Sequence, residues 1–248
     1  MLSAYVGGQV FGETFGTSTP WVLALHGWAR SHADFAEVLG DTEEEGPIDA
    51  IAVDLPGFGA SPAPDAPWSA KDYAAFIRPL LDEMGSRVVI VGHSFGGRVA
   101  VELAALAEDR SAALVLTGVP LVRVGRRRHP HIRYQIVRTV ARTRFVGPDR
   151  LERARERHGS QDYREARGIM RAVLVRVLAE DYRSTLARLS CPVELVWGER
   201  DTAVPVEVAR EALPALTVGR LTVLPGVDHF VPTAAPAALR AALVLHRP

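Results

Sequence analysis

Four consecutive β-branched residues running into a glycine-flanked serine constrain this chain more than any other feature. The stretch is Val88-Val89-Ile90-Val91-Gly92-His93-Ser94-Phe95-Gly96-Gly97. An unbroken β-branched run predicts a strand buried on both faces, as in a parallel sheet. The next residues, Arg98-Val99-Ala100-Val101-Glu102-Leu103-Ala104, read as a helix. A strand passing straight into a helix through Gly-x-Ser-x-Gly makes a sharp turn with the serine at its tip. Gly92 and Gly96 suit that turn, because strand and helix pass too close there for side chains. Ser94 is expected to adopt strained backbone angles, with its hydroxyl near the positive end of the helix, where developing negative charge is favoured. Ser94 is therefore the candidate nucleophile.

The remaining chain supplies the scaffold. Residues 5–15 alternate loosely around Gly7-Gly8 and suggest a leading hairpin. Apolar runs at 21–25, 48–53, 113–117, 193–197 and 221–224 read as further strands. Between them lie helical stretches: one through Phe35 and Leu39, one that Ser69 would cap and that runs to Leu81, and others at 205–213 and 236–245. Alternating strands and helices predict an α/β fold, a mostly parallel central sheet with helices on both faces. The rhythm breaks over residues 119–188, where helices are expected at 131–144, 149–158 and 163–178 and no strand is convincing. The expected organisation is a core of residues 1–118 and 189–248, with 119–188 inserted as an all-helical cap over one end of the sheet.

Composition narrows the class. With 48% hydrophobic and 23% charged residues in 248 positions, the chain has the balance of a soluble globular protein. No apolar run is long enough to span a bilayer. Residues 1–8 lack the basic start and long apolar segment of a secretory signal. The single cysteine, Cys191, has no internal disulfide partner, which fits a reducing, cytoplasmic location. Its expected role is packing. Net charge is zero, yet residues 119–188 hold eighteen Arg against seven acidic residues. Arg126-Arg127-Arg128 is read as a solvated basic face in preference to an anion-binding element. No zinc-ligand spacing, phosphate-binding glycine loop or RNA-binding aromatic signature appears. The expectation is no metal, no cofactor, no nucleic-acid partner and no membrane, with a small molecule as substrate. Oligomeric state is not legible.

Ligands of such sheets bind beyond the carboxyl ends of the strands. Four ends carry reactive groups: His26-Gly27-Trp28, Ser94, Asp201 and His229. A serine hydroxyl needs a base. His229 suits that role because an unperturbed imidazole titrates near neutrality, and Asp201 would hold the ring and stabilise its charged form. Asp54 also ends a strand but precedes the serine, so it is assigned to a turn. Thr117-Gly118-Val119-Pro120 offers no carboxylate. Asp228 is expected to point away. His93 is assigned packing or hydrogen bonding, and His26 a structural role. His32, His129, His131, His158 and His246 read as ordinary surface or boundary residues.

These segments together resemble the α/β-hydrolase superfamily with a helical cap, over nearly the whole length. The matching pieces are Leu25-His26-Gly27-Trp28, Asp54-Leu55-Pro56-Gly57-Phe58-Gly59-Ala60-Ser61, Gly92-His93-Ser94-Phe95-Gly96-Gly97, Trp197-Gly198-Glu199-Arg200-Asp201 and Gly226-Val227-Asp228-His229-Phe230. The resemblance implies a catalytic triad of Ser94, Asp201 and His229. It also implies an oxyanion hole from the backbone N–H groups of Phe95 and Trp28. Trp28, Phe95 and Phe230 adjoin that site and are the candidate pocket residues. The implied activity is cofactor-free hydrolysis of a small ester, thioester or lactone through an acyl-enzyme. Two other readings stay open: a carbon–carbon bond hydrolase acting on a diketone acid, and a small-molecule binding protein without turnover. Proline iminopeptidase fits less well, because its usual elbow carries Gly-Gly-Ser-Trp-Gly. Haloalkane dehalogenase is disfavoured, because that reaction needs Asp where this chain has Ser94.

Overall fold

Period-two alternation along the inner strands sets the architecture of the computed structural model, which describes residues 2–43, 45–123 and 161–248. The chain opens with the expected hairpin: β1 (Leu2–Tyr5) and β2 (Val10–Phe15) pair antiparallel. They are joined by a tight turn over Val6–Gly8 in which Gly7 and Gly8 take positive φ. There follow β3 (Val22–Leu25), a 3-10 turn (His32–Phe35) running into α1 (Ala36–Leu39), β4 (Ala50–Asp54), α2 (Ala70–Ile77), β5 (Val88–His93), α3 (Phe95–Leu106) and β6 (Ser111–Thr117). After residue 160 come α4 (Gln161–Glu165), α5 (Gly168–Val177), α6 (Arg183–Leu186), β7 (Val193–Gly198), α7 (Val206–Ala212), β8 (Gly219–Leu224), α8 (Val231–Ala234) and α9 (Pro236–Val244).

Among the described residues one eight-stranded sheet forms, in the order β1-β2-β4-β3-β5-β6-β7-β8. From β4 across to β8 every neighbouring pair is parallel, and the hairpin adds the antiparallel edge. Side chains alternate between two cores. Leu23, Leu25, Ile90, Leu114 and Leu116 face α2, α3 and α7. Val22, Ala24, Val89, Val91 and Val115 face α1 and α9, where Phe35, Leu39, Leu239 and Leu243 are buried. Both faces are covered, which is why the inner strands carry unbroken apolar runs.

Ser69 caps α2 as the sequence suggests, in a reciprocal capping box with Asp72. The helix does not run on in α geometry to Leu81. It tightens into a 3-10 segment (Arg78–Glu83), since Pro79 has no N–H to give to the preceding turn.

Residues 161–188 differ from expectation. The single helix expected at 163–178 is two, α4 and α5, separated at Ala166-Arg167. Gly168 opens α5 with φ +49°, a left-handed conformation that interrupts the helical path although the apolar spacing continues through it. Met170 lies against Gly57, and Val173, Leu174 and Val177 are buried in the core. Buried Arg98 on α3 donates to the Val177 carbonyl at 2.5 Å and lies over the Tyr182 ring. The helices expected at 131–144 and 149–158, the run Arg126-Arg127-Arg128, and His129, His131 and His158 lie outside the described residues. Among the described residues no helix is long and apolar enough to cross a membrane.

Candidate active site

Six strand ends, those of β3 to β8, lie at the carboxyl edge of the sheet. At one of them, β5 turns into α3 through Ser94, whose backbone sits at φ 49° and ψ −109°, a sparsely populated region that surrounding structure must enforce. The enforcement is visible. A Cβ on Gly96 would stand 2.2 Å from the Leu25 carbonyl oxygen, and one on Gly92 would stand 2.5 Å from Gly97 Cα. The Ser94 N–H donates to the Thr117 carbonyl at 2.9 Å, tying the turn to β6.

The ends of β7 and β8 bring in Asp201 and His229. His229 Nδ1 lies 2.8 Å from Asp201 Oδ2, and Asp201 Oδ1 accepts the Val204 N–H at 2.7 Å. The Asp201 side chain is almost wholly buried and the imidazole is partly open. The Arg200 N–H, given to the Val227 carbonyl at 2.8 Å, binds the two loops together. The imidazole lies over Gly118, where a Cβ would come within 2.8 Å of His229 Cε1. Among the described residues the Ser94 hydroxyl makes no hydrogen bond, to the His229 ring included.

The N–H groups of Phe95 and Trp28 likewise have no partner among the described residues. Phe95 begins α3, so its N–H is one of the groups a helix cannot satisfy internally. His26 holds the Trp28 loop. Its Nε2 accepts the Leu55 N–H at 2.9 Å and its Nδ1–H donates to the Gly27 carbonyl at 2.7 Å. Burial lowers its pKa to about 4, so the ring is neutral, which that donor–acceptor pattern requires.

Asp54 has the turn role expected of it. It accepts from the Ala60 N–H, the His32 N–H and the His32 ring, each at 2.8 Å. Burial pushes its pKa up, but these donors outweigh burial and leave it below the usual carboxylate value. Asp228 is exposed and accepts the Phe230 N–H, as anticipated. His32 and His246 are boundary residues as expected, half-buried, and each has a carboxylate partner: His32 is held by Asp54, and His246 pairs with buried Glu194 at 3.2 Å. Their partners lie far off in sequence, which local context does not reveal.

Of the three candidate pocket residues, Trp28 and Phe95 meet edge-to-face at 5.3 Å. Phe58, which the sequence marked only as part of a turn, completes the cluster at 4.9 Å from Trp28 and 5.8 Å from Phe95. Phe230 stands apart from this group. Among the described residues its ring contacts are His229, His93 and the Arg30 guanidinium, the last at 5.2 Å. Arg30 in turn grips Asp34 with two nitrogens. The i,i+4 spacing of Arg30 and Asp34 is visible in the sequence, but the contact with Phe230 joins two separate loops and is not. Among the described residues no group of three His, Cys, Asp or Glu side chains is placed to hold a metal ion.

The fold has counterparts among known proteins. Residues 22–242 match the model of the alpha/beta hydrolase family. A pimeloyl-[acyl-carrier protein] methyl ester esterase from Chromobacterium violaceum is 30% identical over 238 residues, covering 89% of this chain and 91% of that protein. The lipase LipV of Mycobacterium tuberculosis is 38% identical over 147 residues, which are 58% of this chain and only 51% of the lipase. Among solved structures, an esterase from Exiguobacterium antarcticum superposes with a TM-score of 0.72 at 20% identity, over 99% of this chain and 98% of that one. The chain belongs to the alpha/beta hydrolase family.

Proposed function

We propose that the protein is a serine hydrolase that cleaves a small carboxylic ester, thioester or lactone. The observation that carries this reading is the Asp201–His229 hydrogen bond at 2.8 Å, set beside a serine held in a strained strand-to-helix turn. Ser94 Oγ attacks the substrate carbonyl while His229 Nε2 takes its proton. Asp201 fixes the ring through Nδ1–H, so that Nε2 faces the reaction, and it stabilises the imidazolium. The tetrahedral oxyanion is met by the N–H groups of Phe95 and Trp28, together worth a few kcal/mol of transition-state stabilisation. His229 then protonates the leaving group as the tetrahedral carbon collapses to an acyl-enzyme. Water, deprotonated by His229, releases the acid and regenerates Ser94.

The apolar cluster of Trp28, Phe58 and Phe95 beside the proposed oxyanion hole supports an uncharged acyl part. The names of the esterase and lipase relatives support ester cleavage. Residues 119–188 act in this reading as the cap over the site, and the enzyme works in the cytoplasm as a small-molecule hydrolase. The test is turnover of short neutral, medium-chain and carboxylate-bearing aryl esters by wild type and Ser94→Ala. Loss of at least about 10³-fold in kcat is expected for the variant. Equal turnover by both would remove Ser94 from the mechanism. Absence of turnover on every ester would move the assignment to carbon–carbon cleavage or to ligand binding.

A further inference from the structure

We infer that His93 is a positioning residue, whose imidazole spaces the His229 loop, the Ser94 turn and the Trp28 loop against one another. The inference rests on the triad proposed above and concerns a residue that the chemistry does not use. His93 ends β5, is 1% exposed, and precedes Ser94 in the chain. Its Nε2 lies 3.0 Å from the His229 carbonyl oxygen. Its ring stands 4.8 Å from the His229 ring. The opposite edge presses on the loop that leads to Trp28, where a Cβ on Gly27 would stand 2.8 Å from His93 Nδ1 and 3.1 Å from Cε1. One side chain thus touches all three pieces of the site.

The protonation pattern says what the ring is for. A carbonyl oxygen only accepts, so Nε2 carries the hydrogen and Nδ1 is left with a bare lone pair. That lone pair finds no donor. Among the described residues, His93 Nδ1 and Thr117 Oγ1 are the buried side-chain polar atoms without a partner. They belong to residues paired in register across β5 and β6. Buried polar atoms are normally satisfied, and an exception at a site asks for a reason. Burial, and secondarily the neighbouring His229, lower the His93 pKa to about 4, so the ring brings no charge to the base beside it. What it does bring is a donor for the His229 backbone and a rigid width between two loops. An aliphatic side chain would avoid the orphaned nitrogen but would leave the His229 carbonyl without this donor.

The test compares His93→Gln, His93→Asn and His93→Leu. A Gln amide reaches the Nε2 position, an Asn amide reaches only the Nδ1 position, and Leu has no donor. Two readouts are taken: kcat and KM on an ester that the wild type turns over, and the rate at which an aryl phosphonate ester labels Ser94. His93→Gln is expected to stay within about 3-fold of wild type, while His93→Asn and His93→Leu lose about 10²-fold in kcat and labelling rate with KM little changed, as expected of a displaced reacting group. Comparing Gln with Asn keeps the test valid if His93→Leu does not fold. Equal losses in Gln and Asn, equal activity in all three variants, or an effect confined to KM would overturn the positioning role. The phosphonate separates the two readings. Labelling of wild type but not of Ser94→Ala upholds the triad whatever the His93 variants do. Failure to label wild type removes both.

Discussion

Asp201 divides its two oxygens between two tasks. Oδ1 holds the Val204 N–H, which shapes its own loop, and Oδ2 holds the imidazole. Asp201→Asn keeps the size and the loop but offers the ring an N–H donor where it needs an acceptor. The ring then takes the wrong tautomer, and kcat is expected to fall about 10³–10⁴-fold with little change in melting temperature. Steady-state kinetics and a thermal melt check this, and a loss below about 10-fold would argue that Asp201 only shapes the loop. Ser94, Asp201 and His229 were legible as candidates because each is a polar residue just past an apolar strand. Phe58, Arg30 and the His32–Asp54 pair were not legible in that way. Their contacts join loops 22 or more residues apart (Phe58 to Trp28 and His26, Arg30 to Phe230), and sequence spacing carries no record of such meetings.

At the scale of elements, the turn between β5 and α3 is tightly specified by backbone that lies close on both sides of it. Ala at Gly96 would put a methyl 2.2 Å from one backbone oxygen and 2.4 Å from the next, the carbonyls of Leu25 and His26. Neither is a flexible side chain that can turn aside. Gly96→Ala is therefore expected to cost more than about 3 kcal/mol of stability, the upper range for overpacking. A urea titration measures this, and a cost below about 1 kcal/mol would mean that β3 and α3 separate more easily than their packing suggests. The strands were readable because burial on both faces leaves an unbroken apolar run. The α4–α5 break was harder to read. The apolar period runs across Ala166-Arg167, and only Gly168 marks the place where the backbone leaves the helical path.

At the scale of the whole molecule, His26 and His93 make stability depend on pH. Both are buried and neutral, with pKa values lowered from 6.5 to about 4. The unfolded chain therefore takes up two protons near pH 6.5 that the folded one refuses until about pH 4. Stability from this source is complete above pH 6.5, is lost as pH falls towards 4, and falls no further below that. Each ring contributes up to about 3 kcal/mol across the window. Urea midpoints at pH 7, 5.5 and 4.5 should fall in that order, and they should fall less steeply in His93→Gln. A flat profile would show that both rings gain a proton in the folded state as readily as in the unfolded one. The architecture of core and sheet was legible from alternation alone, whereas the arrangement of these two rings depends on which loops the folded chain brings alongside them.

The unusual angles at residue 94 belong to the main chain and are imposed by what lies on either side of it, β5 behind and α3 ahead. The side chain there takes no part in holding them, since the serine hydroxyl has no partner among the described residues. In the mechanism proposed above, position 94 thus works as a socket: the scaffold presents the side chain, and that side chain supplies the chemistry without being needed to build the turn.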